Sequence, residues 1–356
     1  MRVTHLELRN FRNYGSLNLN FENNLTVIQG TNGSGKTNLA EAIYYLSLAK
    51  SWRANDCQAL IRYGEDHASI KAKVEENGLK REIEIRILNK GRKISINGKP
   101  ARKLSELSKL VNVTLFSPED VLIFKGPPSD RRSFLDTSLS KKSLDYFNLI
   151  GKYNRLLLER NAALKAEKVD TTLIQVLTDE LIAVSEPISR YRRLYIDDLN
   201  KVLSDLASEL YGHDRRLLVV YKPFIRSESA WKEEAAKAYK RSLESDIIHK
   251  STSIGIHRED FSLMLDGQDV AIYGSQGENR LAAIALKIAP FFLIEDKEKR
   301  PIVVLDDVYS ELDAEHTKRL SGLISKHLNQ VFVTATRANI EGASVIEVSE
   351  NKAIRR

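Results

Sequence analysis

One segment constrains this chain more than any other: Gly30-Thr31-Asn32-Gly33-Ser34-Gly35-Lys36-Thr37 fits the pattern G-x-x-x-x-G-K-[S/T]. Before it, Leu25-Thr26-Val27-Ile28-Gln29 is an apolar, β-branched run with the character of a buried strand. After it, Asn38 to Leu46 has helical periodicity. Strand, glycine loop and helix in that order form the arrangement a phosphate cradle needs. The glycines let backbone N–H groups close around phosphate oxygens, and the helix N-terminus adds a favourable dipole. On this reading Lys36 reaches the β- and γ-phosphates of a nucleotide, and the Thr37 hydroxyl is a ligand of Mg²⁺.

Composition narrows the setting. The chain has 356 residues, 42% hydrophobic and 29% charged, which is ordinary for a globular protein. No apolar run approaches the ~20 residues of a membrane span, so no membrane partner is expected. Met1 to His5 begins an alternating strand rather than the apolar stretch of a signal peptide. Cys57 is the single cysteine, which excludes an internal disulfide framework and a cysteine-based zinc site, and suits a reducing cytoplasm. The net charge of +7 favours a polyanionic partner such as nucleic acid.

The first third reads as strand-rich. Val3 to Leu8, Ser69 to Val74 and Arg81 to Ile87 are expected strands, and Lys93 to Ile96 runs into Asn97-Gly98, a hairpin turn signal. From about Pro127 to Ser245 the pattern turns helical, including a long stretch from Thr171 to Leu210 with Pro187 as the expected kink. Later strands are expected at Phe261 to Leu265, Val270 to Tyr273, Pro301 to Leu305 and Val331 to Thr334. Helices are expected at Glu278 to Leu293 and Ala314 to Leu328. The predicted organisation is an α/β nucleotide-binding domain with a mixed sheet, split into 1–126 and 246–356. A mainly helical lobe, 127–245, is inserted between its halves.

Hydrolysis needs a metal-holding carboxylate and a group that orients water. Val303-Val304-Leu305-Asp306-Asp307 offers both at one strand end: Asp306 to hold Mg²⁺ and Asp307 to polarise water. Ser275-Gln276-Gly277 opens a helix and presents a hydroxyl and free N–H groups suited to a phosphate. Ser310-Glu311-Leu312-Asp313 reads either as a helix cap or as a loop lying across a dimer interface. Lys36 and Asp306 stand near opposite ends of the chain, with the Ser-x-Gly helix about thirty residues before the carboxylate strand. That is the layout of ABC-type ATPase heads rather than of RecA-like motors. In such heads the Ser-x-Gly element contacts the γ-phosphate held by the opposite subunit.

Over nearly its full length the sequence resembles the RecF family of bacterial recombination-mediator ATPases. The resemblance rests on Leu8 to Tyr14, Gly126 to Asp136, Tyr153 to Lys165, Thr252 to Asp260 and Pro301 to Asp313. Three departures stand out. The family's Ser-Gln-Gly-Gln-Gln-Arg is here Ser275-Gln276-Gly277-Glu278-Asn279-Arg280, Ile256 replaces a proline, and Glu259 replaces an aspartate. Glu278 puts a carboxylate where a partner's γ-phosphate is expected. The resemblance implies a head domain shared with SMC proteins but without their long coiled coil. It implies ATP-dependent homodimerisation around two nucleotides and weak, DNA-stimulated ATP hydrolysis. It further implies binding to gapped DNA, cooperation with RecR and RecO to load RecA, and support of SOS induction. Asp307, Lys36 and Ser275 would then be catalytic. Residues 30–37, Ser275, Gln276, Gly277 and Asp313 would bind nucleotide, and Thr37 and Asp306 the metal.

Other residues carry two readings each. Glu119 and Asp120 fall where ABC-type proteins keep a metal-sensing loop, and Ser117-Pro118-Glu119-Asp120 equally suits a helix start. Arg12 and Arg53 are candidates to approach phosphate or to be surface arginines. His257 serves DNA or interlobe packing. Thr334 and Thr336 follow the last core strand, where a hydroxyl can position water. Lys71, Lys73, Arg92, Lys93, Lys99, Arg102, Arg131 and Arg132 are basic candidates for DNA phosphates, with no base-reading motif. A transporter ATPase subunit is disfavoured by the helical insertion and the missing histidine switch. An SMC-like antiphage ATPase is disfavoured by the full-length resemblance.

Overall fold

The computed structural model describes residues 1–355 apart from 77, 213, 297–298, 311, 338–339 and 350–351, and the side chains of 105, 108–109 and 355 are also outside the description. The chain runs β1 (Arg2–Phe11), β2 (Tyr14–Asn20), β3 (Leu25–Gln29), α1 (Lys36–Leu48), β4 (His67–Glu76), β5 (Leu79–Leu88), β6 (Gly91–Ile96), β7 (Lys99–Pro100), α2 (Leu104–Leu110) and β8 (Val113–Phe116). It continues through α3 (Pro128–Lys142), α4 (Leu144–Lys165), α5 (Thr171–Tyr211), β9 (Leu217–Lys222), α6 (Trp231–His249), β10 (Asp260–Leu265), β11 (Gln268–Asp269), α7 (Val270–Tyr273) and α8 (Gln276–Phe292). It closes with β12 (Ile302–Leu305), α9 (Ala314–His327), β13 (Val331–Ala335), β14 (Ser344–Ser349) and β15 (Lys352–Arg355). No helix among the described residues is long and apolar enough to cross a membrane.

Two compact units divide the chain: residues 1–120, 209–213 and 294–356 form the first, and residues 121–208 and 214–293 the second. The first unit holds two six-stranded sheets. One is antiparallel in the order β2-β1-β4-β5-β6-β7, and its alternating strands bury Leu6, Leu8, Ile70, Ala72, Ile83 and Ile85 on one face. Its β6–β7 turn is the expected Asn97-Gly98, both at positive φ (50° and 75°). The other sheet, β15-β14-β3-β13-β12-β8, is parallel except for the antiparallel edge strand β15. Its central strands read as apolar runs because both faces are covered: β12 and β13 are buried at every position. Helix α1 packs against β8, β12 and β13 of this sheet and against β4 of the other. Gln330, fully buried, stitches the sheets together. Its amide accepts from Val3 N–H at 2.7 Å and donates to Val3 C=O at 2.8 Å, at the point where β1 is bulged.

Among the described residues the second unit holds α3, α4, α6, α7, α8, most of α5 (up to Ser208) and a three-stranded sheet, β11-β10-β9. Asn200 of α5 bonds both the N–H and the C=O of Val219, at 2.7 and 3.0 Å, and so satisfies the open edge of β9. This sheet moves the expected boundary. β10 pairs with β9 along its whole length, so residues after 245 stay with the helical segments until 293. Val270–Tyr273 is a helical turn rather than the expected strand, because Asp269 caps it by accepting from Ala271 N–H at 2.9 Å. Helix α5 runs through Pro187 for 41 residues without ending there.

Candidate nucleotide site

Three neighbouring parallel strands deliver the site. β3 leads into the glycine loop, β12 ends just before Asp306, and β13 lies hydrogen-bonded between them. Register therefore brings together residues about 270 positions apart. Thr37 Oγ1 donates to Asp306 Oδ1 at 3.1 Å, and Thr334 Oγ1 donates to the same oxygen at 2.7 Å. Thr334 Oγ1 also accepts from Asp307 N–H at 2.9 Å. Its one proton and an acceptor lone pair are both engaged, so Thr334 is a strut that fixes the Asp306–Asp307 peptide rather than a water-positioning group. Thr336 is exposed beyond the strand end.

The loop itself tolerates little. A Cβ on Gly30 would stand 2.2 Å from Val348 C=O, so the chain there admits only glycine. Gly35 sits at φ +113°, where side chains are strained, and a Cβ would meet the Asn13 amide at 2.6 Å. Tyr14, the first residue of β2, donates to Gly35 C=O at 3.0 Å. Lys36 is buried and donates to the Gly30 and Thr31 carbonyls at 2.9 Å each, which leaves one of its three N–H groups to point elsewhere. Ser34 Oγ is buried with no hydrogen-bond partner among the described residues.

Electrostatics suit a triphosphate with a cation. Burial pushes the Asp306 carboxyl above its ordinary range, against hydrogen bonds from Thr334 and Thr37 that hold it down, with Asp307 adding to the rise. Burial lowers the Lys36 ammonium, and Asp307 and Asp306 oppose this. A buried carboxylate beside a hydroxyl is a hard oxygen donor set of the kind Mg²⁺ takes, and the orphaned Ser34 hydroxyl fits a phosphate oxygen. Asp307 adopts φ 51°, a left-handed conformation that Asp and Asn tolerate better than most residues.

Several expected residues have other employment. Arg12 forks onto the buried Glu41 with two 2.8 Å bonds and donates to Ala59 C=O, so it clamps α1. Arg53 instead reaches Asn38, beside Thr37, at 2.8 Å and helps to hold Asp306 ionised. Asp120 accepts from Ser117 N–H at 2.8 Å and caps the turn that begins at Pro118, while Glu119 is exposed. Asp313 caps α9, accepting from His316 N–H at 2.8 Å, with its other oxygen against the His316 ring. Glu311 lies outside the described residues.

Ser275, Gln276 and Gly277 belong to the second unit. Ser275 is the N-cap of α8 in a reciprocal capping box with Glu278. His257 bonds the Tyr153 hydroxyl at 2.6 Å and Thr252 C=O at 3.1 Å, and burial lowers it to about 4, so it is a neutral packing residue. Arg131 forks onto Asp260 at 2.6 and 3.0 Å, and Arg132 donates to Glu259 C=O at 2.9 Å; both leave the list of free basic residues. Lys71 faces Glu84 at 3.7 Å and Arg92 is half-buried beside Tyr45. Lys73, Lys93, Lys99 and Arg102 are exposed. Sheet register adds Arg9 and Arg86, both missed in the sequence: with Ser69 and Lys93 they form one cross-strand row on the solvent face. Strand alternation carried that signal, but the pairing partners did not follow from it.

Comparison with known proteins agrees with this fold. The model of the RecF/RecN/SMC N terminal domain matches residues 2–353. The DNA replication and repair protein RecF of Agathobacter rectalis is 34% identical, with 94% of this chain and 92% of that protein covered. RecF of Bacillus cereus is 35% identical, covering 99% of this chain and 96% of its own. The solved structure of the recombination mediator protein RecF-ATP in the RecFOR pathway has a TM-score of 0.81 and 29% identity, covering 100% of this chain and 99% of that one. The Smc head domain of Pyrococcus furiosus, at TM-score 0.62 and 17% identity over 99% and 96% of the two chains, shares the fold. With its phosphate loop, its Asp306–Asp307 strand end and these matches along the whole chain, the protein belongs to the RecF family of DNA replication and repair proteins.

Proposed function

We propose that this chain binds ATP with Mg²⁺ in its first unit, dimerises around two nucleotides on DNA, and hydrolyses ATP slowly to reopen. The observation that carries the reading is the Thr37–Asp306–Thr334 cluster beside Lys36, assembled from three adjacent strands. The N–H groups of residues 30–37 and the remaining Lys36 proton would hold the β- and γ-phosphates. Thr37 and Asp306 would hold Mg²⁺, which when bound neutralises phosphate charge. Asp307, fixed by the Thr334 strut, would orient the attacking water. Ser275 of a second copy would close on the γ-phosphate.

In this reading the protein acts in the RecFOR pathway with RecR and RecO at single-strand gaps, helping to load RecA and supporting SOS induction. Its setting would be the cytoplasm. The Arg9–Arg86–Lys93 row, with Lys73, Lys99 and Arg102, supports contact with DNA phosphates. A row spanning four strands covers about 14 Å, enough for more than one phosphate. Binding should be without base preference and should weaken steeply with salt.

Molar mass in solution with Mg²⁺ and no nucleotide, ADP or ATP, each with and without gapped DNA, tests the proposal. A dimer that forms only with ATP and holds DNA more tightly is expected. Asp307→Asn keeps a side chain that tolerates φ 51° and should trap that dimer; a monomer of this variant at saturating ATP would sink the hydrolytic role given to Asp307.

A further inference from the structure

Ser275 is already occupied. Its backbone N–H donates to Glu278 Oε2 at 3.0 Å, and its Oγ donates to the same oxygen at 3.0 Å while accepting from Glu278 N–H at 3.2 Å. A serine hydroxyl has one proton, so a hydroxyl that donates to Glu278 does not donate to a phosphate. The other carboxylate oxygen, Oε1, accepts from Arg215 Nη2 at 2.8 Å, and Arg215 Nε pairs with Asp266. Around this, the element is rigid. Asn279 donates to the Gly274 and Ser275 carbonyls at 2.8 and 2.9 Å, and a Cβ on Gly274 would strike Val270 C=O at 2.6 Å.

The carboxylate of Glu278 therefore sits on the same donors that a phosphate oxygen would take: the Ser275 N–H, the Ser275 O–H and a guanidinium. We propose that Glu278 and Arg215 are a positioning pair that sets how readily Ser275 engages the γ-phosphate of a second copy's ATP. Glu278 holds the Ser275 donors until the phosphate displaces it, and Arg215 is the counter-charge that receives the displaced carboxylate. This rests on the composite-site reading above. A glutamine at 278 could still cap the helix but would carry no charge to repel the nucleotide. The ion pair is thus the device that lets this chain keep a glutamate there. Without Arg215, the displaced carboxylate would face a triphosphate without that counter-charge, and like charges at close range repel strongly in a partly desolvated interface.

The test is the ATP-dependent dimer dissociation constant, by sedimentation, for the wild type, Arg215→Ala, Glu278→Gln and the double variant. ATP binding below dimerising concentration and the melting temperature are read on each. Arg215→Ala should weaken the dimer about tenfold or more, Glu278→Gln should leave it as tight or tighter, and the double variant should return close to Glu278→Gln. A merely structural role for Arg215 predicts no such rescue. Arg215→Ala equal to wild type, or a double variant as weak as Arg215→Ala, overturns the proposal while leaving the composite site intact. A wild type that binds ATP and stays monomeric overturns the composite site and this proposal with it.

Discussion

The two units bury polar groups for different ends. In the first, the buried polar residues gather mainly around one place: Ser34, Lys36, Glu41, Asp306 and Thr334 all belong to or brace the phosphate loop and its facing strand end. Elsewhere Thr26, Ser47, Ser117 and Gln330 are buried in a unit whose core is otherwise aliphatic and aromatic. In the second, buried charges run through the core. Arg160 bonds Asp246, Thr178 and Thr252, and Arg192 joins Asp136, Glu259 and Ile256 C=O. Each carboxylate there is spent on architecture. Glu259, for example, also accepts from Phe224 N–H at 3.0 Å and from the Tyr221 hydroxyl. On the proposed reading, polar burial marks chemistry in one unit and fold specificity in the other.

That contrast breaks first at Arg160. Removing it leaves the fully buried Asp246 without its cation, so Arg160→Ala should cost ~3–5 kcal/mol, read as a fall in the urea midpoint; a change near zero would mean the network does not hold the second unit. Lys36→Ala should do the reverse. ATP affinity should fall about a hundredfold or more, because a charge-assisted contact to phosphate is lost, with little change in the unfolding midpoint. Fluorescent-nucleotide titration and thermal melts on the same sample separate the two effects. A large drop in melting temperature would contradict the assignment of Lys36 to chemistry.

Thr334→Val sharpens the comparison from within the site. It removes a donor to Asp306 and leaves Asp307 N–H without its acceptor, at a cost of about 1–3 kcal/mol. ATP binding in this variant should need more Mg²⁺, which a metal titration reads directly. The effect that depends on pH belongs to His257. Its folded-state pKa, lowered to about 4, lies below the ordinary 6.5, so the unfolded chain binds the extra proton first. Its contribution to stability is therefore full above about pH 6.5 and is lost as pH falls toward 4. His257→Gln should flatten stability across that window relative to wild type; an unchanged difference between the two proteins from pH 7 to 4 would refute the buried neutral ring.

Much of the first unit was legible because its signals are local. The phosphate loop, the strand before it, the helix after it and the Asn97-Gly98 hairpin each follow from neighbouring residues. Val270–Tyr273 was misread because four apolar residues carry no decisive period, and the cap from Asp269 settled them as helix. The unit boundary was misplaced because it depends on the pairing of β9 with β10, forty residues apart. Arg131 and His257 looked available for DNA until their partners, Asp260 and Tyr153, came from distant segments.

Local chemistry determined that this chain holds a phosphate-loop motif, a carboxylate pair at a strand end and a serine-capped helix, because glycine conformations, strand periodicity and capping act over a few residues. Only the tertiary structure decided which groups are free to act. Parallel register set Thr334 between Thr37 and Asp306, and the fold of the second unit set Arg215 against Glu278. Those pairings depend on contacts across tens to hundreds of residues, and a side chain's role is fixed by the partner that contact supplies.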